Sequence, residues 1–348
     1  MDAQKDSAGK APSLSLQLLL LLLLVVSTSA WLAIGRDGSV RAASMRASRP
    51  LMGTLWTIEV VDDGRTEEAR VAMDSAFSEV ARIERLMSEW IPDSPVSRVN
   101  SAAGKNAVAV PSELSTLLNR ATDLGHRSKG AFDVTWKGMG SVWRFDDRFT
   151  LPTEASVEEA RQRVDFRKLE ILGDKVYLGQ VGMAVGLGGI AKGYAVDRAA
   201  AILASAGFPN SLVAGAGDIR ASGLKGGRPW KLGIQDPRAS RGVLLGEISL
   251  SGRAISTSGD YERFRMVDGV RYHHIIDPRT GWPAKGCRAV TVAASSAEQS
   301  DSLATAIFVL GPEEGMKLAQ SEGVDALIVD NNGAMKASGL FQSLARVH

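Results

Sequence analysis

The chain of 348 residues has one cysteine, Cys287, an aromatic content of only 6%, and a net charge of just +2. A single thiol allows no internal disulfide and argues against a cysteine metal centre. The near-neutral balance leaves no electrostatic footprint for nucleic acid, and so few aromatics give no stacking platform for single strands. Two nucleotide and nucleophile signatures are also missing. There is no G-x-x-x-x-G-K-[ST] phosphate loop and no G-x-S-x-G elbow, and no repeat of fixed period. What is present is an ordinary globular mixture, 45% hydrophobic and 23% charged. That composition supports one large domain or two intimately packed ones, with ample core.

The N-terminus departs from this mixture. Lys5 and Lys10 precede an apolar stretch over 14–26, and Ser27, Thr28, Ser29 and Ala30 follow it at once. A basic segment, an apolar core and small residues describe an export signal. Left uncleaved, residues 14–34 are long enough to cross a bilayer once as an anchor. Either outcome places the body outside the cytoplasm. Residues 1–34 are therefore read as a signal peptide or membrane anchor, 35–49 as a linker rich in Ala, Ser, Gly and Arg, and 50–348 as the folded domain.

Within that domain, 51–61 has strand composition, and 66–87 places apolar residues at helical spacing. Residues 88–106 read as a loop, and 112–128 as a helix capped by Ser112. Ser156 and Glu159 suggest a capping box for a helix to about Val164. Hairpins are expected around Gly173-Asp174 and Asp268-Gly269. Strands over 211–214, 218–222, 230–235, 243–250, 254–258, 289–294 and 325–329 accompany helices over 297–309 and 312–322. Strands and helices do not alternate regularly, which favours an α+β fold with mixed or antiparallel sheets and packed helices.

Three constellations could carry chemistry. GLGGIAKGYAVD over 186–197 follows an apolar run and opens an alanine-rich helix. Glycines let backbone approach a ligand, the free N–H groups of a first helical turn favour an anion, and Lys192 adds positive charge. A tight strand–helix connection would use the same residues. Asp301 and Thr305 stand at i and i+4, on one helix face, where two oxygens could meet one hard cation such as magnesium. Asp301 could equally serve only the helix dipole. His273 and His274 are adjacent on an extended segment, so they point to opposite faces. One could accept a proton from an attacking hydroxyl; a hydrogen-bonded structural histidine fits the spacing as well. Ser256–Tyr261 adds hydroxyls, and Trp90, Phe132, Trp136 and Tyr194 offer flat surfaces that a core would also use.

Taken in order, Met52-Gly53-Thr54, MSEWIPDSPVSRVN, GAFDVTW, GLGGIAKGYAVD, AGAGDIRASG, ISTSGDYER, HHIIDPRTGWPA and SDSLATAIFVLG resemble the ApbE family of FAD:protein FMN transferases, over about residues 50–330. The resemblance implies an α+β, T-fold-related architecture and a magnesium-dependent transfer of FMN from FAD to a threonine or serine hydroxyl, releasing AMP. The implied acceptor is a flavoprotein, such as a subunit of a membrane electron-transfer complex, with the periplasm or the outer face of the inner membrane as the setting. The implied magnesium ligands are Asp301, Thr305 and the Gly189 carbonyl. Met52, Trp90, Ala131, Phe132, Asp133, Gly186, Lys192 and Ile275 would line the FAD site, and His274 would help activate the acceptor hydroxyl. At Gly186 relatives usually carry aspartate, a departure that bears on FAD contacts. An FAD pyrophosphatase and a non-catalytic flavin-binding protein are the alternative readings.

Overall fold

The computed structural model describes residues 43–345, so the leader expected over 1–34 lies outside the described residues. The 35–49 stretch read as a linker is, from Ser44 onward, an edge strand: β1 (Ser44–Leu51) pairs antiparallel with β2 (Thr54–Val61) through all eight residues. Its Ala, Ser and Arg residues gave it linker composition, yet Arg46 and Arg49, with Pro50 just beyond, are residues that keep an exposed edge from recruiting another strand. The single strand expected over 51–61 is accordingly broken by a turn. Leu51 pairs with Thr54 across Met52-Gly53, both at positive φ (49° and 69°), the backbone a two-residue hairpin needs to match strand twist.

β1 and β2 open an eight-stranded sheet of order β1-β2-β6-β7-β10-β13-β14-β15, antiparallel throughout. Its other strands are β6 (Ser211–Gly215), β7 (Asp218–Ser222), β10 (Arg253–Gly259), β13 (Cys287–Ala294), β14 (Asp325–Asp330) and β15 (Met335–Ala337). Helix α1 (Thr66–Met87) buries Ala69, Ala72, Met73, Ala76, Phe77, Val80, Ile83 and Met87. That is the three-and-four spacing of one apolar stripe, and each large side chain so buried contributes about 1.5–3 kcal/mol. It packs against α5 (Ala191–Ser205), and α5 against α6 (Ala297–Leu310). These helices meet Trp56, Ile58, Val60, Ala254, Val290, Val292 and Ile328 on one sheet face. On the other face Val61, Ile255, Ala293 and Leu327 pack under the hairpin β8 (Trp230–Gln235) and β9 (Leu244–Leu250). The central strands are buried on both sides, as their unbroken apolar runs require.

Several expected boundaries move. The 88–106 loop contains a short helix α2 (Pro95–Ser101), with Ser94 as N-cap accepting from the Ser97 N–H at 3.0 Å and proline at the first position, a start signal. Ser112 begins α3 (Ser112–Arg127) but does not cap it; Pro111 holds that position without a side-chain bond. The helix expected from Ser156 is α4 (Glu154–Arg161), capped one turn earlier, by Thr153 accepting from the Ser156 N–H. Both expected hairpins form, as β4 (Leu169–Leu172) with β5 (Lys175–Leu178), and β11 (Phe264–Val267) with β12 (Val270–His273). No strand precedes the glycine loop: only an isolated bridge, Trp136 with Ala184, stands there.

Candidate active site

Strand register gathers the expected residues at one end of the large sheet. The Met52-Gly53 turn closes β1–β2 at that end, and the Ala216-Gly217 turn closes β6–β7 beside it, because Trp56 pairs with Gly215 and Gly215 with Asp218. Ser256 in β10 pairs with Asp218. Helix α6 runs along β10 on the helical face, with Ser256 Oγ 2.8 Å from Ser300 Oγ and Ser258 Oγ 3.4 Å from Thr305 Oγ1.

The glycine loop then delivers α5 into the same corner. A Cβ on Gly193 would lie 2.1 Å from the Ala297 carbonyl oxygen and 2.8 Å from Asp301 Cβ, so only glycine permits this approach of α5 to α6. The Gly193 N–H, which a regular helix would direct to the Gly189 carbonyl, donates to Asp301 Oδ2 at 3.0 Å. That geometry leaves the carbonyl lone pairs to offer elsewhere. The anion cradle expected at this helix start thus holds the protein's own carboxylate. From the other end of the contact, Asp197 of α5 accepts the N–H groups of Ala297 and Glu298, each at 2.9 Å, and so secures the α6 N-terminus together with its N-cap Ser296.

Lys192 is tied down, not mobile. Its Nζ is 3.2 Å from Asp218, 3.4 Å from Asp301, and donates to the Gly188 carbonyl at 2.8 Å. Burial opposes its charge, but the carboxylates of Asp218 and Asp301 outweigh it and hold the ammonium above its ordinary range. Burial, reinforced by Asp218, pushes the Asp301 carboxyl up. Asp218 Oδ2 is buried, with the Lys192 ammonium at 3.2 Å as its charge partner and no other hydrogen-bond donor. Two carboxylates against one ammonium leave this corner short of positive charge. Thr305 Oγ1 lies one helical turn from Asp301, as the i,i+4 spacing suggested, and 3.1 Å from where a Gly189 Cβ would stand.

The two histidines separate as strand geometry requires. His273 is buried against Phe308 and donates Nε2–H to the Ala284 carbonyl at 3.0 Å, which makes it the structural one. His274 is half-buried; its Nδ1 is 3.3 Å from the Arg263 carbonyl. As a donor there, it leaves Nε2 unprotonated and free. Burial, helped by Arg263 and His273, pushes His274 down to about 4, so the ring is neutral at physiological pH.

The remaining expected residues are distributed less evenly. Trp90 is 75% exposed, and Met52 is half-buried at the hairpin turn. Ala131, Phe132 and Ile275 are core residues; Phe132 lies under Gly189, its ring 3.3 Å from a Cβ built there. Asp133 does not present its carboxylate to the cleft. Oδ1 accepts from the Thr135 N–H and hydroxyl, and Oδ2 from the Phe166 N–H, so it braces the loop. Tyr194 points away from the corner, its hydroxyl on Glu113 at 2.6 Å. Gly186 is buried beside Trp136, whose Nε1–H donates to the Gly186 carbonyl at 3.0 Å. Asp218 and Arg263 were not anticipated as individual residues, whereas Ser258 lay among the hydroxyls of 256–261; Asp218 lay inside the AGAGDIRASG stretch, and only strand pairing shows its place.

The fold and its corner define an α+β protein with an oxygen-rich, lysine-bridged cleft at the open end of an antiparallel sheet. A family model described as the ApbE family matches residues 52–328. An FAD:protein FMN transferase of Treponema pallidum is 33% identical over 329 residues, covering 89% of this chain and 91% of its own; one from Vibrio cholerae is 31% identical, covering 83% and 88%. Among solved structures, an ApbE protein of Thermotoga maritima superposes with a TM-score of 0.79 at 32% identity, covering 87% of this chain and 100% of its own. The apo flavinyl transferase ApbE of Pseudomonas stutzeri gives 0.76 at 30%, covering 87% and 96%. This chain belongs to the ApbE family.

Proposed function

We propose that the chain is an FAD:protein FMN transferase assisted by magnesium held on Asp301, Thr305 and the Gly189 carbonyl. The activity and the FAD substrate follow from the family and its flavin transferases. The observation that supports the metal is the charge deficit around Lys192: two buried carboxylates share one ammonium, and Asp218 Oδ2 has no donor besides that shared ammonium. Carboxylate, hydroxyl and carbonyl oxygens make the hard donor set magnesium takes. When bound, the ion would offset the charge of the pyrophosphate and of the transition state.

The chain's own residues do the rest. Lys192, fixed between Asp218 and Asp301, holds its positive charge beside the phosphates. His274 presents Nε2 to the acceptor threonine or serine and takes its proton. The hydroxyl oxygen attacks the FMN-side phosphorus, the pyrophosphate bond breaks, and AMP leaves with its electron pair. Trp90 offers an exposed face to a planar ring of FAD, while Met52, Gly186 and the backbone at Ala131, Phe132 and Ile275 shape the walls. Asp133 supports this wall from behind through Thr135 and Phe166. The leader composition over 1–34 favours work outside the cytoplasm, on an acceptor such as a subunit of a membrane electron-transfer complex.

The test is incubation with FAD and magnesium, with and without an acceptor chain. Flavin fluorescence should remain on the acceptor band in a denaturing gel. Equal release of free FMN in both tubes, with no labelled acceptor, would instead establish an FAD pyrophosphatase.

A further inference from the structure

Lys137 stands just beyond the GAFDVTW stretch, and its side chain reaches the ring of Trp90. Its Nζ is 3.4 Å from the centroid of the Trp90 ring and 5.9 Å from that of Trp136. The nearest carboxylate, Glu89, is 3.8 Å away, and the side chains of Glu89 and Lys137 are only 9% and 17% exposed. Trp90 is the reverse case, an indole 75% in solvent with a largely buried ammonium against one face. Burial pushes the Glu89 carboxyl up and the Lys137 ammonium down from their ordinary ranges, which is the cost of keeping that charge at the ring.

Gly186 makes this arrangement sterically open. A Cβ there would lie 3.0 Å from Lys137 Cβ and 3.1 Å from the Trp136 ring, so a side chain at 186 would push on both. The glycine gives that space to the Lys137 stem and to Trp136, which is fastened in turn by its bond to the Gly186 carbonyl. Lys137 therefore joins two wall segments, the one that carries Trp90 and the glycine loop.

We propose that Lys137 is a positioning residue for FAD: its cation–π contact on the inner face of Trp90 fixes the indole so that the outer face stacks on a planar ring of the substrate. The proposal rests on the transferase reading above. A cation–π contact is worth a factor of about two to thirty in a binding constant, and here it would be felt through the ring.

Lys137→Met keeps the stem and removes the charge. KM for FAD should rise by about two- to thirtyfold with kcat unchanged, and Lys137→Arg should recover most of the loss. In a Trp90→Ala background the same Lys137→Met change should alter KM by less than about twofold, because the ring it acts through is gone. An equal rise in both backgrounds, a fall in kcat alone, or an unmoved KM in the otherwise wild-type enzyme would overturn the proposal while leaving the transferase reading in place. A wild-type enzyme that neither binds nor cleaves FAD would bring down both.

Discussion

Asp301→Asn separates the metal role of this carboxylate from its structural role. Asparagine has the same shape and keeps an oxygen to accept from the Gly193 N–H, now bonded at 3.0 Å. Burial and the Asp218 charge already oppose ionisation of Asp301, so the metal-free fold should tolerate the loss of charge. Magnesium at about a hundredfold excess over its Kd stabilises a folded protein by about 2.7 kcal/mol. For a domain of about 300 residues, the unfolding entropy is on the order of 0.6 kcal/mol/K. The wild-type Tm should therefore rise by about 4 °C when magnesium is added. In Asp301→Asn that rise should vanish, with Tm in chelator unchanged within about 1 °C, and FMN transfer should fall by at least about a hundredfold, several kcal/mol of charge stabilisation being removed. Calorimetry with magnesium and with chelator, alongside the gel assay, reads both effects. A variant that keeps the magnesium shift and the transfer would refute the metal assignment; one that unfolds in chelator would make Asp301 a folding residue first.

Four further outcomes follow from the geometry. His274→Ala should leave FAD binding intact and lower turnover by about a hundredfold or more, which equilibrium binding and single-turnover rates distinguish. Because burial holds His274 down to about 4, kcat/KM measured at saturating magnesium should show no histidine step near pH 6.5, the ring staying neutral until pH approaches 4. The same shift has a stability consequence. The unfolded chain takes up this proton below about pH 6.5 and the folded one does not, so His274 costs stability progressively as pH falls from there toward 4, as acid titration of Tm would show. Gly193→Ala places a Cβ 2.1 Å from the Ala297 carbonyl oxygen; forcing α5 away from α6 should cost about 1–3 kcal/mol and lower Tm and transfer together.

Local pattern was enough for much of the framework. The stripe from Ala69 to Met87 and the turn pair Asp268-Gly269 carry their own geometry, because helical spacing and positive φ are properties of neighbouring residues. The i,i+4 relation of Asp301 and Thr305 was legible for the same reason, as was the turning of His273 and His274 to opposite faces. Caps were read less well. Ser112 and Ser156 have the right chemistry one to three residues inside the true helix starts, and a serine near a helix start does not say which turn it closes. The edge strand from Ser44 was hidden by its small residues and by the arginines that protect it.

What the chain alone determined, then, is its α+β class, its family through motifs in order, and the residue types from which a metal and phosphate site could be made. Only the tertiary structure decided which of those residues meet. Asp218 reaches Lys192 through the pairing of β6, β7 and β10. Asp133 turns inward as a brace, and Lys137 comes to lie on Trp90 across the cleft. These contacts join residues 26 to 47 positions apart or depend on which way a side chain turns. Register and packing settle such pairings, because they are properties of the assembled sheet and helices and not of any one segment.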